Sequence, residues 1–144
     1  MAEGRKRGIY LLLLHLRGPR SIEVGRLGRR EFRAGWYLYV GSGMGGVLGR
    51  IRRHLRKGKR LRWHIDYLTE VAEVKEVFVK EAEKGEECAV ARSLEGELQV
   101  IEGFGSSDCR CRGHLFYHPY GEHLRQVSIR ALGGGESLKP EEVV

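Results

Sequence analysis

A small α/β domain, one sheet flanked by about three helices, is the fold class this sequence predicts, and three stretches predict it. Residues 8 to 16, GIYLLLLHL, are apolar on both alternating faces, as in a central strand covered on both sides. Trp36 to Val40, WYLYV, is aromatic and β-branched enough for a second strand. Gly41, Gly43, Gly45 and Gly46 then form a loop into a helix from about Val47 to Lys57, whose apolar stripe is Val47, Leu48, Ile51 and Leu55. With 144 residues, 41% of them hydrophobic, the chain suits one domain with one core. That domain is expected over residues 1–132, with residues 133–144 a mobile tail.

The remaining elements follow from local pattern. Gly18-Pro19 ends the first strand, Ser21 to Val24 reads as a short strand, and Gly25 to Gly28 as a turn. A second helix is expected over Leu61 to Thr69, with Leu61, Ile65 and Leu68 inward. KEVFVK at 75 to 80 reads as a strand and Glu86 to Leu98 as a third helix. Gly103 to Arg112 reads as a loop, 114 to 118 as a strand, and Gln126 to Ala131 as a last strand.

Composition narrows the function classes. No apolar run approaches the ~20 residues needed to span a membrane, so no membrane partner is expected. The start, MAEGRKRGIY, lacks a secretory signal, and a cytoplasmic location is the expectation. The 3 cysteines make no disulfide framework, being odd in number, with Cys109 and Cys111 too close in sequence to bridge comfortably. The chain has no Asn and 31% charged residues, a bias that fits a thermophile.

The net charge of +7 is unevenly placed. Arg50, Arg52, Arg53, Arg56, Lys57, Lys59, Arg60 and Arg62 lie together with no acidic residue among them. Such a block attracts polyanions and predicts salt-dependent nucleic-acid binding. At ~100° per residue, Arg50 and His54 fall on one flank of their helix, beside the Ile51 and Leu55 stripe, and Arg52 and Arg56 on the other. One Arg/His pair is thus aimed at the edge of the core. Arg50 there can grip a phosphate bidentately, and His54 can move a proton or fix a phosphate oxygen.

Gly8-Ile9-Tyr10, then Tyr39-Val40-Gly41, then Arg50 and His54 four residues apart, occur in an order that resembles the GIY-YIG nuclease superfamily. The segments GWYLYVGSG, RWHIDYL and GFGSSDCRCRGHLFY look like a little-characterised, largely archaeal branch of it, whose members occur alone or fused to repair enzymes. The resemblance implies a mainly antiparallel sheet and a metal-dependent endonuclease acting on DNA phosphodiester bonds in repair or recombination. DNA is the expected partner, RNA not excluded, together with DNA-repair proteins. It also implies that Tyr10 and Tyr39 line the catalytic face. A phenol pKa of about 10 requires a nearby cation if either is to activate water.

In the superfamily a Glu on the third helix binds the ion, here Mg²⁺ or Mn²⁺. Local alignment puts that slot near Ala91 or Arg92, so the ligand has moved or is missing; if moved, Glu87 is the first choice and Glu95 the second, both on the core face. His64 falls where some relatives carry a second active-site His. The usual late Asn is absent, leaving Asp108 or His114 to stand in, and the wide spacing of the tyrosine motifs implies an inserted hairpin around Ser21 to Arg33. Cys109, Cys111 and His114 can supply three zinc ligands, with His118 or Asp108 as a fourth. Their spacing is atypical for zinc and better suits a loop whose thiols and hydroxyls cap backbone groups near the active site. The displaced Glu and missing Asn leave open a nucleic-acid-binding module without turnover, or an interaction domain serving a repair partner.

Overall fold

The computed structural model describes residues 6–143. The stretch read for a signal begins in residues 1–5, outside the described residues. The first long apolar run forms β1 (Gly8–Leu16), and its alternation splits the core in two. A hairpin does form around Ser21 to Arg33: β2 (Arg20–Glu23) and β3 (Arg29–Phe32) make a separate two-stranded sheet. β4 (Gly35–Gly43) returns antiparallel to β1, and the glycine turn after it opens α1 (Val47–Leu55). Then come α2 (His64–Thr69), β5 (Glu73–Glu81), α3 (Glu86–Glu95), β6 (Gln99–Val100), β7 (Leu115–His118), α4 (Gly121–Leu132) and β8 (Glu136–Leu138). The main sheet has order β6-β7-β4-β1-β5-β8, antiparallel throughout.

Tyr10, Leu12, Leu14 and Leu16 pack with Tyr37 and Tyr39 against Val47 and Ile51 of α1 and Ile65 and Leu68 of α2. Ile9, Leu11 and Leu13 pack with Leu38, Val40 and Phe78 against Ala91 and Leu94 of α3 and Leu124 and Val127 of α4. The result is a three-layer α/β fold with helices on both faces of the sheet, which explains why β1 is apolar on both sides. No helix among the described residues is long and apolar enough to cross a membrane.

Four expectations need correction. The second helix starts at His64 rather than Leu61, because Asp66 accepts the backbone N–H groups of Arg62 (2.8 Å) and Trp63 (2.9 Å) and fixes its start there. The third ends at Glu95, and Gln99–Val100 instead adds an edge strand. Gln126 to Ala131 is helical. Leu124, Val127, Ser128 and Leu132 are buried at helical spacing while Ile129 is 46% exposed, so the Val127/Ile129 alternation imitates a strand without being one. The carboxyl-terminal segment is docked rather than free: β8 pairs with β5, and Val143 is buried in the α1/α2-side core.

Candidate functional site

Tyr10 and Tyr39 sit on adjacent strands and on the same face, since Tyr10 pairs with Gly41 and Tyr39 with Leu12. Gly41 makes this possible: a Cβ there would lie 2.4 Å from the Tyr10 ring and hydroxyl. α1 brings Arg50 and His54 over the tyrosines, and α2 brings His64. Together with Ser42, Trp63, Arg62, Glu87, Gly105, Ser107 and Asp108 they line a cleft of about 360 Å³. The flank reading of Arg50 and His54 thus has its structural counterpart, and Arg50 and Tyr39 face the same space.

One wall of the cleft is a buried chain of polar groups. Tyr10 Oη and His54 Nε2 are 2.5 Å apart, and His54 Nδ1 faces Asp66 Oδ1 at 4.0 Å. Burial pushes the His54 pKa down to about 3, with Arg50, Arg53 and Lys59 adding to the effect against the pull of Asp66. His54 is therefore neutral near pH 7, and its Nε2 accepts the Tyr10 hydroxyl. Its Nδ1 has no hydrogen-bond partner among the described residues. Burial opposes ionisation of Asp66, but the Arg53 guanidinium, bonded through both nitrogens at 2.8 and 2.9 Å, and the two backbone donors hold its carboxyl below the usual range.

The phenols of Tyr10 and Tyr39 are both pushed up, mainly by burial. The Tyr39 hydroxyl takes no hydrogen-bond partner among the described residues. The indole of Trp63 gathers three guanidiniums, with Arg53 at 4.3 Å, Arg50 at 4.5 Å and Arg62 at 5.2 Å from the ring centre. Arg50 donates to the Ser42 carbonyl at 3.1 Å and forms no salt bridge among the described residues. His64 Nδ1 accepts the Gly105 N–H at 2.8 Å, leaving its proton on Nε2.

The opposite wall comes from the other side of the sheet. β7 pairs with β4 only through Trp36 to Tyr39, so the outer edge of Gly41 to Gly43 has no strand beside it. Glu87, in the first turn of α3, reaches that edge and accepts the Ser42 hydroxyl at 2.5 Å. Its other oxygen is 2.9 Å from His114 Nδ1. Burial opposes ionisation, but His114, Ser42 and Arg50 hold the carboxyl below its ordinary range. Burial likewise disfavours the His114 imidazolium, yet Glu87 raises its pKa to about 9.

Beyond His114 lie the thiols. Its Nε2 is 3.4 Å from Cys109 Sγ and 4.0 Å from Cys88 Sγ. The donor atoms of Cys88, Cys109, Cys111 and His114 all lie within 4.8 Å of one another, a group that could hold a metal ion.

A family model described as a domain of unknown function, DUF123, matches residues 9–134. The chain belongs to that family. No curated protein and no solved structure matches it. The DUF123 match covers both walls of the cleft and the thiol cluster, and it ends at Gly134, before β8.

Within this DUF123 domain several expected residues stand elsewhere. Glu95, the second metal choice, accepts the Arg112 backbone N–H at 3.0 Å and is not among the cleft residues. His118 lies at the far end of β7, stacked on His123 at 4.1 Å, and Asp108 lines the cleft, so neither is the fourth member of the thiol cluster. Cys88 is, supplied by α3 from twenty-one residues before Cys109. The basic block is also divided. Arg53 is bound to Asp66, Arg52 Nε donates to the Val143 carbonyl at 2.9 Å, Lys57 donates to the Thr69 and Ala72 carbonyls, and Lys59 to four acceptors between His54 and Glu70. Arg56, Arg60 and Arg62 remain exposed. Asp66, Trp63 and Ser42 are site residues that sequence reasoning missed. Asp66 had one available signal, a lone acid among basic neighbours in RWHIDYL.

Proposed function

We propose that the cleft binds a nucleic-acid phosphate and hydrolyses a phosphodiester bond with the help of a divalent cation, as the resemblance to GIY-YIG nucleases implies. The observation that carries the reading is a guanidinium without a salt bridge among the described residues, Arg50, in the same cleft as an ionised carboxylate, Glu87. Arg50 is held by Trp63 and the Ser42 carbonyl, which leaves further N–H donors for phosphate oxygens and for the charge that develops on them. The exposed Arg56, Arg60 and Arg62 extend the positive surface along which DNA would lie.

Tyr10, His54 and Asp66 form a path for a proton. Neutral His54 accepts from Tyr10, so the phenol can take a proton from water while handing its own to Nε2. It then never has to exist as a free phenolate. A phosphate in the cleft adds negative charge beside His54 and eases that transfer, with Asp66 facing the new imidazolium. Tyr39, its hydroxyl without a partner among the described residues, can orient the water, and the Nε2–H of His64 can donate to an oxygen of the leaving side.

Glu87 fits a hard cation such as Mg²⁺ or Mn²⁺: it is ionised and lines the cleft, and Ser42 and His114 leave lone pairs on both oxygens. Bound there, the ion would act as a Lewis acid on the phosphate. One observation favours a second reading, a binding module without turnover, because both Glu87 oxygens already have protein partners.

The test is incubation with labelled branched, flapped and linear DNA in Mg²⁺ or Mn²⁺ and in chelator, alongside Arg50→Ala. Metal-dependent cleavage reduced about 10²–10³-fold by the substitution is the expected result. Salt-sensitive binding with no cleavage on any substrate would leave the binding module standing instead.

A further inference from the structure

The thiol corner is built from distant parts of the chain. Cys88 comes from the first turn of α3, and Cys109, Cys111 and His114 come from the long connection between β6 and β7. That connection, residues 101–114, has neither helix nor strand, yet Gly105, Ser107 and Asp108 within it line the cleft. A segment this long and irregular needs something to hold it in place.

The donor set is three sulfurs and one imidazole nitrogen. A tetrahedral zinc centre with Zn–S near 2.3 Å and Zn–N near 2.0 Å separates its ligand atoms by roughly 3.5–3.8 Å. The separations from His114 Nε2 to Cys109 and Cys88, 3.4 and 4.0 Å, bracket that range. His114 is 1% exposed, and its ring orientation is already fixed. Nδ1 lies 2.9 Å from a Glu87 oxygen and 3.1 Å from the Val40 carbonyl, so the proton sits on Nδ1 and Nε2 is turned toward the sulfurs. A carboxylate or carbonyl behind a histidine in this way is how proteins orient an imidazole toward a metal.

We propose that Cys88, Cys109, Cys111 and His114 bind one Zn²⁺ ion as a structural Cys₃His site, with Glu87 as the partner that orients His114. Zinc replaces the thiol protons and the Nε2 proton of the His114 imidazolium, all released to solvent, while Nδ1 keeps its proton toward Glu87. The ion ties the cleft-lining connection to α3, and the same Glu87 carboxylate joins it to the cleft. The assignment does not depend on the cleft being a nuclease, because soft thiolates select zinc over Mg²⁺ or Mn²⁺.

Three measurements on the intact, reduced chain test it. Elemental analysis should find about one zinc per chain. Titration of the metal-free chain with Co²⁺ should give the visible bands of a tetrahedral thiolate site, unchanged by excess Mg²⁺. Zinc should protect all three thiols from alkylation, and its removal should open Arg110 and Arg112, both exposed in this segment, to trypsin. Glu87→Gln should keep the cobalt spectrum while weakening zinc binding about 10–100-fold, a change that a merely structural glutamate would not cause. Cys109→Ser should lose the spectrum, and if that variant fails to fold, the alkylation and cobalt results on the unaltered chain still decide. An octahedral cobalt spectrum, or thiols equally reactive with and without zinc, would overturn the assignment.

Discussion

The two walls of the cleft are built on opposite principles. On the α1/α2 side, Tyr10, His54, Asp66 and Arg53 are joined in a chain whose charges are compensated within the protein. On the α3 side, Glu87 orients His114, and Nε2 and three thiols lie close together, with Cys111 Sγ donating to the Cys88 carbonyl at 3.9 Å. The first wall balances its charges internally, though His54 Nδ1 stays without a hydrogen bond among the described residues, whereas the second gathers soft donors around a common centre. The difference teaches where each wall can draw its rigidity: one from a buried ion pair on a helix start, the other, on our proposal, from the Zn²⁺ ion its donors would share.

The sharpest way to break the comparison is to remove the anchor of the first wall. Asp66 is fully buried and accepts four hydrogen bonds, two from Arg53 and two from the backbone before α2. Asp66→Ala leaves the Arg53 guanidinium half-buried and unpaired, and should cost about 3–5 kcal/mol in denaturant unfolding. Saturating zinc should not restore it. A cost below about 1 kcal/mol would mean that the wall does not hang on this carboxylate.

A smaller effect reads the same wall by pH. The folded-state pKa of His54, about 3, lies below the ordinary value of 6.5. Between those values the unfolded chain binds a proton that the folded chain does not. Stability is therefore lost as pH falls through this window, by about 1.4 kcal/mol per pH unit. From pH 6.5 to 5 that amounts to about 2 kcal/mol from this residue. His54→Gln keeps an acceptor for Tyr10 without the titration, so the wild-type curve should be steeper than the variant's by that amount. Parallel curves would place the His54 pKa near its ordinary value.

Each wall was legible in part, with Asp66 missing from the first and Cys88 from the second. Arg50 and His54 announce themselves because helical spacing fixes which residues share a face, whereas Tyr10 and Tyr39 enter only through the resemblance, since a strand tyrosine taken alone reads as packing. Glu87 was reachable from its position on the core face of α3. Cys88 was not, because its partners lie across a segment with no periodicity to count along, and only the folded chain brings α3 beside it. Asp66 was hidden for a different reason: a buried acid looks like any surface acid until its donors are known. The Val127/Ile129 alternation shows the opposite failure, a local pattern that imitates a strand while the wider spacing of Leu124, Val127 and Leu132 belongs to a helix.

The basic block was the hardest feature to read, since sequence counts charges but not their partners. Lys59 has a side chain only 5% exposed and donates to the His54 and Arg56 carbonyls, Thr69 Oγ1 and Glu70. Its neighbour Arg60 is exposed. The smallest and most discriminating prediction pairs the two. Lys59→Ala should cost about 1–2 kcal/mol, because it strips a donor from buried acceptors behind the first wall. Arg60→Ala should change stability by less than about 0.5 kcal/mol. In DNA binding the order reverses: Arg60→Ala should lower the slope of log affinity against log salt by about 1, the loss of one phosphate contact, while a folded Lys59→Ala leaves it unchanged. Equal slopes for both variants and the wild type would mean that the exposed arginines are solvated surface, and would remove the basic block from the case for DNA altogether.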